Sequence, residues 1–240
     1  MINKIKILIE NQNFNPSWFG ILVNPFFIAR RGLAVEIKSL AKELNGKILD
    51  VGCGTKPYES FFNYSDYIGL EYDTGIDSEK KTADYYYDGK TFPFDSESFD
   101  SVICNQVLEH VFEPKEFLLE INRILKPGGK FLITVPFVWD EHEQPYDFAR
   151  YSSFGLVYLL EKNGFKILKQ SKSVSNIAVI FQLLGGYFYK ISYRRKILKW
   201  LFMLVIIFPL NFLGIIFGKI FPDNNDLYLD NIILAQKYDL

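Results

Sequence analysis

The sequence predicts an α/β fold with a doubly wound, mostly parallel sheet, and three observations lead there. Apolar runs of strand length alternate with segments of helical spacing from Lys47 onward. The first run, Ile48-Leu49-Asp50-Val51, ends beside an acid and enters Gly52-Cys53-Gly54, where a turn without β-carbons lets backbone N–H groups approach a ligand. A second run, Tyr67-Ile68-Gly69-Leu70, ends in Glu71, about twenty residues on, where a neighbouring strand would present an acid to a ribose diol.

Taken in order, residues 25–44 carry apolar positions at helical spacing and stop at Asn45-Gly46, which predicts a lid helix over a cofactor. Strands are expected over 47–51, 67–71, 83–87, 101–105 and 130–135. Helices are expected over 114–124 and 153–163, the second stopping at Gly164, with a further strand over 165–172 and a last one over 228–236. Between those two strands, 176–222 is too long and apolar for a loop. Its stretch 200–218 has no charged residue and follows Lys190, Arg194, Arg195, Lys196 and Lys199. Length and composition suit a bilayer crossing, but Pro209, Asn211 and Gly214 interrupt the run, and one crossing would strand the last strand away from its sheet. A helical cap is the expectation, either lying in a membrane interface or buried against the domain or a second copy.

At 240 residues the chain suits one α/β domain: an N-terminal lid (1–45), a cofactor-binding core (46–175), an apolar helical cap (176–222) and the last strand (223–240). The formal net charge of −1 supplies no field for a polyanion, so nucleic acid is not an expected partner. Cys53 and Cys104 are isolated and make neither a zinc set nor a disulfide framework. Lys4, Lys6 and Glu10 interrupt the N-terminal apolar residues, unlike a secretory signal, which points to a cytoplasmic protein.

The turn reads Gly52-Cys53-Gly54-Thr55-Lys56-Pro57 and lacks the third glycine of a dinucleotide fingerprint. Pro57 suits the first turn of a helix, so strand, turn and helix are still expected. With Leu49-Asp50-Val51-Gly52-Cys53-Gly54 stand Phe92-Pro93-Phe94, Ser98-Phe99-Asp100-Ser101-Val102-Ile103, Val107-Leu108-Glu109-His110-Val111 and Ile124-Leu125-Lys126-Pro127-Gly128-Gly129-Lys130. In that order the motifs resemble class I S-adenosylmethionine-dependent methyltransferases of the type 11 group. The resemblance runs from about Gly46 to Lys172 and implies a Rossmann-like seven-stranded sheet with an antiparallel last strand. Two further stretches, 54–58 and 142–151, resemble a subgroup associated with bacterial surface-polysaccharide biosynthesis.

The resemblance implies S-adenosyl-L-methionine as cofactor, with Asp50 and the backbone of Gly52 and Gly54 at its methionine end, Glu71 at the ribose hydroxyls and Asp88 at the adenine amino group. Asp73 is the rival to Glu71. Asn105 and Gln106 close the fourth strand, where they either contact the cofactor or cap the next helix. His142, in Asp140-Glu141-His142-Glu143, is the candidate catalytic base, and a solvated acidic loop is the alternative reading. His110 is read as structural. No metal is expected, because consecutive residues of an extended segment point different ways. Asp147 and Arg150 either hold a polar substrate or pair with each other.

The expected activity is methyl transfer to a hydroxyl of a sugar in a glycan or lipid-linked intermediate, with a lipid-like quinone or isoprenoid acceptor second. A catalytically silent cofactor-binding module and a membrane-anchored scaffold are the rivals. A membrane surface and a homodimer are the further partners considered.

Overall fold

Every strand expected from Lys47 onward joins one seven-stranded sheet in the computed structural model, which describes residues 12–73 and 82–238. The chain runs α1 (Gly20–Val23), α2 (Phe27–Ala41), β1 (Lys47–Val51), β2 (Asp66–Tyr72), β3 (Tyr85–Tyr87) and β4 (Phe99–Asn105). It continues through α3 (Pro114–Ile124), β5 (Leu125–Pro136), α4 (Ser153–Lys162) and β6 (Phe165–Ser173). Then come α5 (Ala178–Ser192), α6 (Lys196–Phe202), α7 (Phe208–Ile220) and β7 (Asp230–Lys237). Residues 1–11 of the expected lid and 239–240 of the expected last segment lie outside the described residues.

The sheet order is β3-β2-β1-β4-β5-β7-β6. β1 pairs in parallel with β2 and β4, β2 with β3, and β4 with β5, so the carboxyl ends of β1 to β5 share one edge. β7 is the reversed strand, antiparallel to β5 from Lys130↔Gln236 to Pro136↔Asp230. β1 reads as a nearly continuous apolar run because it is covered on both faces, and Ile48, Leu49 and Val51 are all fully buried.

The helix expected after the glycine turn is a correction. Only a short 3-10 turn, Glu59–Phe61, forms there. Residues 55–65 alone separate the turn from β2, and a helix long enough to cover the sheet would not leave chain to return to the start of the next strand. Among the described residues, no α-helix therefore follows the turn before β2.

Two compact units are resolved. Glu36–Ser171 with Asp230–Leu240 holds the sheet and a core that includes Leu49, Val102, Phe131, Leu156 and Ile233. Met1–Val35 with Lys172–Leu229 is helical where described, and its buried centre joins Phe27, Ile28 and Ala178. Inside this unit, polar side chains tie the early helices to the later ones: Gln182 donates to the Pro25 carbonyl and accepts from Ala29 N–H, and Asn211 donates to the Asn24 carbonyl. Lys196–Ile220 is a 25-residue helical stretch long and apolar enough to cross a membrane by length and composition. A π-helical segment, Met203–Ile207, interrupts it just before Pro209, whose missing N–H removes one bond of the α ladder.

Candidate functional site

The glycine turn is built from below. Gly52 N–H donates to the Leu70 carbonyl at 2.8 Å, which lashes the turn to β2. Gly52 has φ +70° and a β-carbon there would meet Val107 at 2.3 Å, so the position is closed by packing. Gly54 has φ +52° and nothing within 4 Å of where a β-carbon would stand. Its backbone is held at both ends: Gly54 N–H donates to Glu71 Oε2 at 2.9 Å, and its carbonyl accepts from Thr82 N–H at 3.0 Å. Two expected cofactor residues, one from each strand, thus meet at the carboxyl edge.

Asp50 lies beneath that turn, buried, with Tyr67 Oη donating to its Oδ2 at 2.8 Å. Burial pushes its carboxyl up to about 7, against the pull of the Tyr67 hydrogen bond and Lys56. Asp84, which no sequence motif marks, accepts from Gly69 N–H and from Lys56 Nζ and so fixes the lysine of the turn. Asp88, just past β3, is exposed, and its Oδ1 accepts from Lys90 and Thr91 N–H. Asn105 and Gln106 do not cap a helix: Thr134 Oγ1 donates to Asn105 Oδ1 at 2.6 Å, and Gln106, at φ +55°, donates from its backbone to the Thr134 carbonyl. The open turn, the carboxylate at its rim and the acids on neighbouring strands fit a cofactor that carries a ribose and an amino-acid end.

A second group of side chains gathers at the same edge, from the loops after β4 and β5. Glu109 and His110 belong to the 3-10 turn Leu108–His110 that follows β4, and His142 follows β5. The two imidazoles meet edge to face with centroids 4.8 Å apart. Glu109 is 0% exposed and neither carboxylate oxygen has a hydrogen-bond partner. Burial pushes its carboxyl up to about 8. The His142 loop is braced by Arg150, which pairs with Asp147 through Nη1–Oδ1 at 2.5 Å and Nη2–Oδ2 at 2.7 Å; that settles the choice left open for this pair. Asp147 also accepts from His142 N–H, and Arg150 holds its carboxyl far below the usual carboxylate range. Burial lowers the affinity of the His142 ring for a second proton. The sequence signal for Glu109 was only its place beside His110; its unpartnered burial comes from the fold.

A family model described as a methyltransferase domain matches residues 49–133. The chain is 27% identical over 152 residues to an uncharacterised protein of Methanocaldococcus jannaschii, covering 58% of this chain and 74% of that one. It is 32% identical over 113 residues to the demethylmenaquinone methyltransferase of Renibacterium salmoninarum, covering 43% of this chain and 47% of that enzyme. Among solved structures, phosphoethanolamine N-methyltransferase 2 of Haemonchus contortus in complex with S-adenosyl-L-methionine shares the fold, with TM-score 0.55, 19% identity, and coverage of 96% of this chain and 56% of that one.

Proposed function

We propose that this chain, which has the class I fold and a methyltransferase domain of the S-adenosylmethionine-dependent enzymes, methylates a lipid-like quinone or isoprenoid acceptor. The observation that carries the transfer itself is the open Gly54 turn with Glu71 bonded to it, at the carboxyl edge of a sheet whose reversed strand is β7. The lipid-like acceptor draws on the demethylmenaquinone methyltransferases among the relatives and on the apolar helices of the second unit. The sugar acceptor expected from the sequence has no such support and becomes the rival.

S-adenosylmethionine supplies a methyl group on a sulfonium that is already a good leaving group. The chain's own work is alignment and proton handling. In this reading Glu71 takes the ribose hydroxyls, Asp50 and the backbone of Gly52 and Gly54 hold the methionine end, Asp88 takes the adenine amino group, and Asn105 and Gln106 line the sulfonium side. Removal of the acceptor's proton falls to the Glu109–His110–His142 group, in which His142 is the outermost imidazole. The protein is assigned to the cytoplasmic side, with Lys190, Arg194, Arg195, Lys196 and Lys199 toward anionic headgroups.

Calorimetry with S-adenosylhomocysteine tests the cofactor. Binding is expected, NAD should give none, and Glu71→Ala should weaken affinity by about tenfold or more through loss of charge-assisted hydrogen bonds. S-adenosylhomocysteine release against a panel of reduced quinones, isoprenoid phenols and glycans then tests the acceptor. Turnover on glycans alone would reject the lipid-like assignment.

A further inference from the structure

We infer that Glu109, His110 and His142 form a binding site for a first-row divalent metal ion of the zinc type. One ligand atom of each lies within 4.8 Å of the other two. Glu109 Oε1 stands 3.8 Å from His110 Nε2 and 3.9 Å from His142 Nε2. These separations are too long for hydrogen bonds. In a tetrahedral zinc site, neighbouring ligand atoms stand roughly 3.3 Å apart, so Glu109 needs to close on each imidazole by about half an ångström and the two imidazoles, within 4.8 Å of each other, on one another.

The hydrogen bonds on the far side of each ring make the case. His110 Nδ1 lies 2.6 Å from the Tyr146 carbonyl, which can only accept, so Nδ1 is the donor there and Nε2 is the nitrogen that faces Glu109. His142 Nδ1 faces two acceptors, the Asp140 carbonyl at 3.2 Å and Asp147 Oδ2 at 3.3 Å. Arg150 Nη2 also stands 3.4 Å from that nitrogen, but its two hydrogens are directed to the Asp140 carbonyl at 2.9 Å and Asp147 Oδ2 at 2.7 Å. His142 is therefore also held as a donor at Nδ1, with Nε2 turned inward toward Glu109. The inner nitrogens of two imidazoles and a buried carboxyl group without a hydrogen-bond partner then face one another. Such a hole is costly unless a cation or proton fills it.

Carbonyls and carboxylates holding the far nitrogens of both rings are the outer hydrogen bonds that orient metal-binding histidines. The charges around the hole favour a cation as well: Asp147 offsets Arg150, and Asp230 adds negative potential at Glu109. Two imidazoles and one carboxylate suit a transition metal better than magnesium, which prefers oxygen ligands. Both histidines are partly open to solvent, so a fourth position is reachable.

The role assigned to this ion rests on the methyltransferase reading, whereas the site itself does not. An acceptor hydroxyl at the open position would lose its proton more readily, the proton leaving to solvent. Its oxygen would then bond to the methyl carbon as the carbon–sulfur bond breaks, giving S-adenosylhomocysteine.

The test starts from protein stripped with a chelator and titrated with Zn2+ by calorimetry and with Co2+ by visible absorption. One equivalent is expected, with the intense bands of a four-coordinate cobalt site, and pulsed electron paramagnetic resonance of the Cu2+-loaded protein should count two imidazoles. Glu109→Gln and His142→Ala, each checked for folding by circular dichroism, should weaken Zn2+ by ~100-fold. Absence of Zn2+ and Co2+ binding by the wild type, fewer than two imidazoles, or unchanged affinity in both folded variants would overturn the site. S-adenosylhomocysteine binding without metal binding leaves the methyltransferase reading standing and removes the metal site; metal binding without any S-adenosylhomocysteine binding does the reverse.

Discussion

Asp50 shows how a motif residue acquires two duties. Its place at the end of β1 suits a cofactor contact, yet its carboxyl is buried under the turn with Tyr67 Oη donating to it. Because burial raises its folded value to about 7, the folded chain holds a proton that the unfolded chain releases near pH 4. Stability from this group is therefore full at low pH and is lost as pH rises through about 7. Asp50→Asn keeps an acceptor for Tyr67 and removes the ionisation. Compared with wild type in urea, it should gain roughly 2–4 kcal/mol at pH 8 and little at pH 4. An equal difference at both pH values would show that Asp50 is charged in the folded chain.

At the scale of the element, the two glycines of the turn answer to different constraints. Gly52 must be glycine because Val107 occupies the space of a β-carbon at 2.3 Å. Gly54 is open on that side, so among the described residues only its φ of +52° disfavours a side chain. Gly52→Ala should cost roughly 2–4 kcal/mol of stability from strain plus overpacking. Gly54→Ala should cost about 1 kcal/mol in thermal unfolding but lower S-adenosylhomocysteine affinity by about tenfold or more. Equal affinity in Gly54→Ala and wild type would place the cofactor elsewhere. Three of the other motifs are structural supports: Glu120 accepts from Phe92 N–H, and Arg123 donates to the Phe94 carbonyl, so α3 holds the Phe92-Pro93-Phe94 turn. Asp100 likewise accepts from Lys47 N–H and pairs with Lys126, joining the starts of β1 and β5.

At the scale of the molecule, the long helical stretch before β7 has two faces. Ile207, Asn211 and Gly214 are buried at helical spacing, so the residues that interrupt its apolar run are among those that pack. Ile197, Leu204, Val205, Phe212 and Ile220 are exposed, and Arg194, Arg195 and Lys196 at its start are exposed too. Vesicles containing anionic lipid should bind the protein, and binding should weaken with salt and in the triple variant Arg194→Gln, Arg195→Gln, Lys196→Gln. Binding indifferent to both would remove the electrostatic part of the membrane assignment. The strands along the chain and the glycine turn with its acids were legible in the residues alone, because a parallel sheet requires continuous apolar runs and a tight turn favours missing β-carbons, whereas the reversal of the last strand was implied by the family resemblance. The length of 176–222 likewise marked it as an insertion. It took the folded arrangement to establish that the chain after the turn forms a single 3-10 turn, that Asp50 lies buried while Gly54 lies open, and that Glu109 and His110 meet His142. Residues on loops after different strands carry no periodic signal of their meeting. Their convergence exists only once the sheet sets β4 beside β5 and brings both loops to one edge.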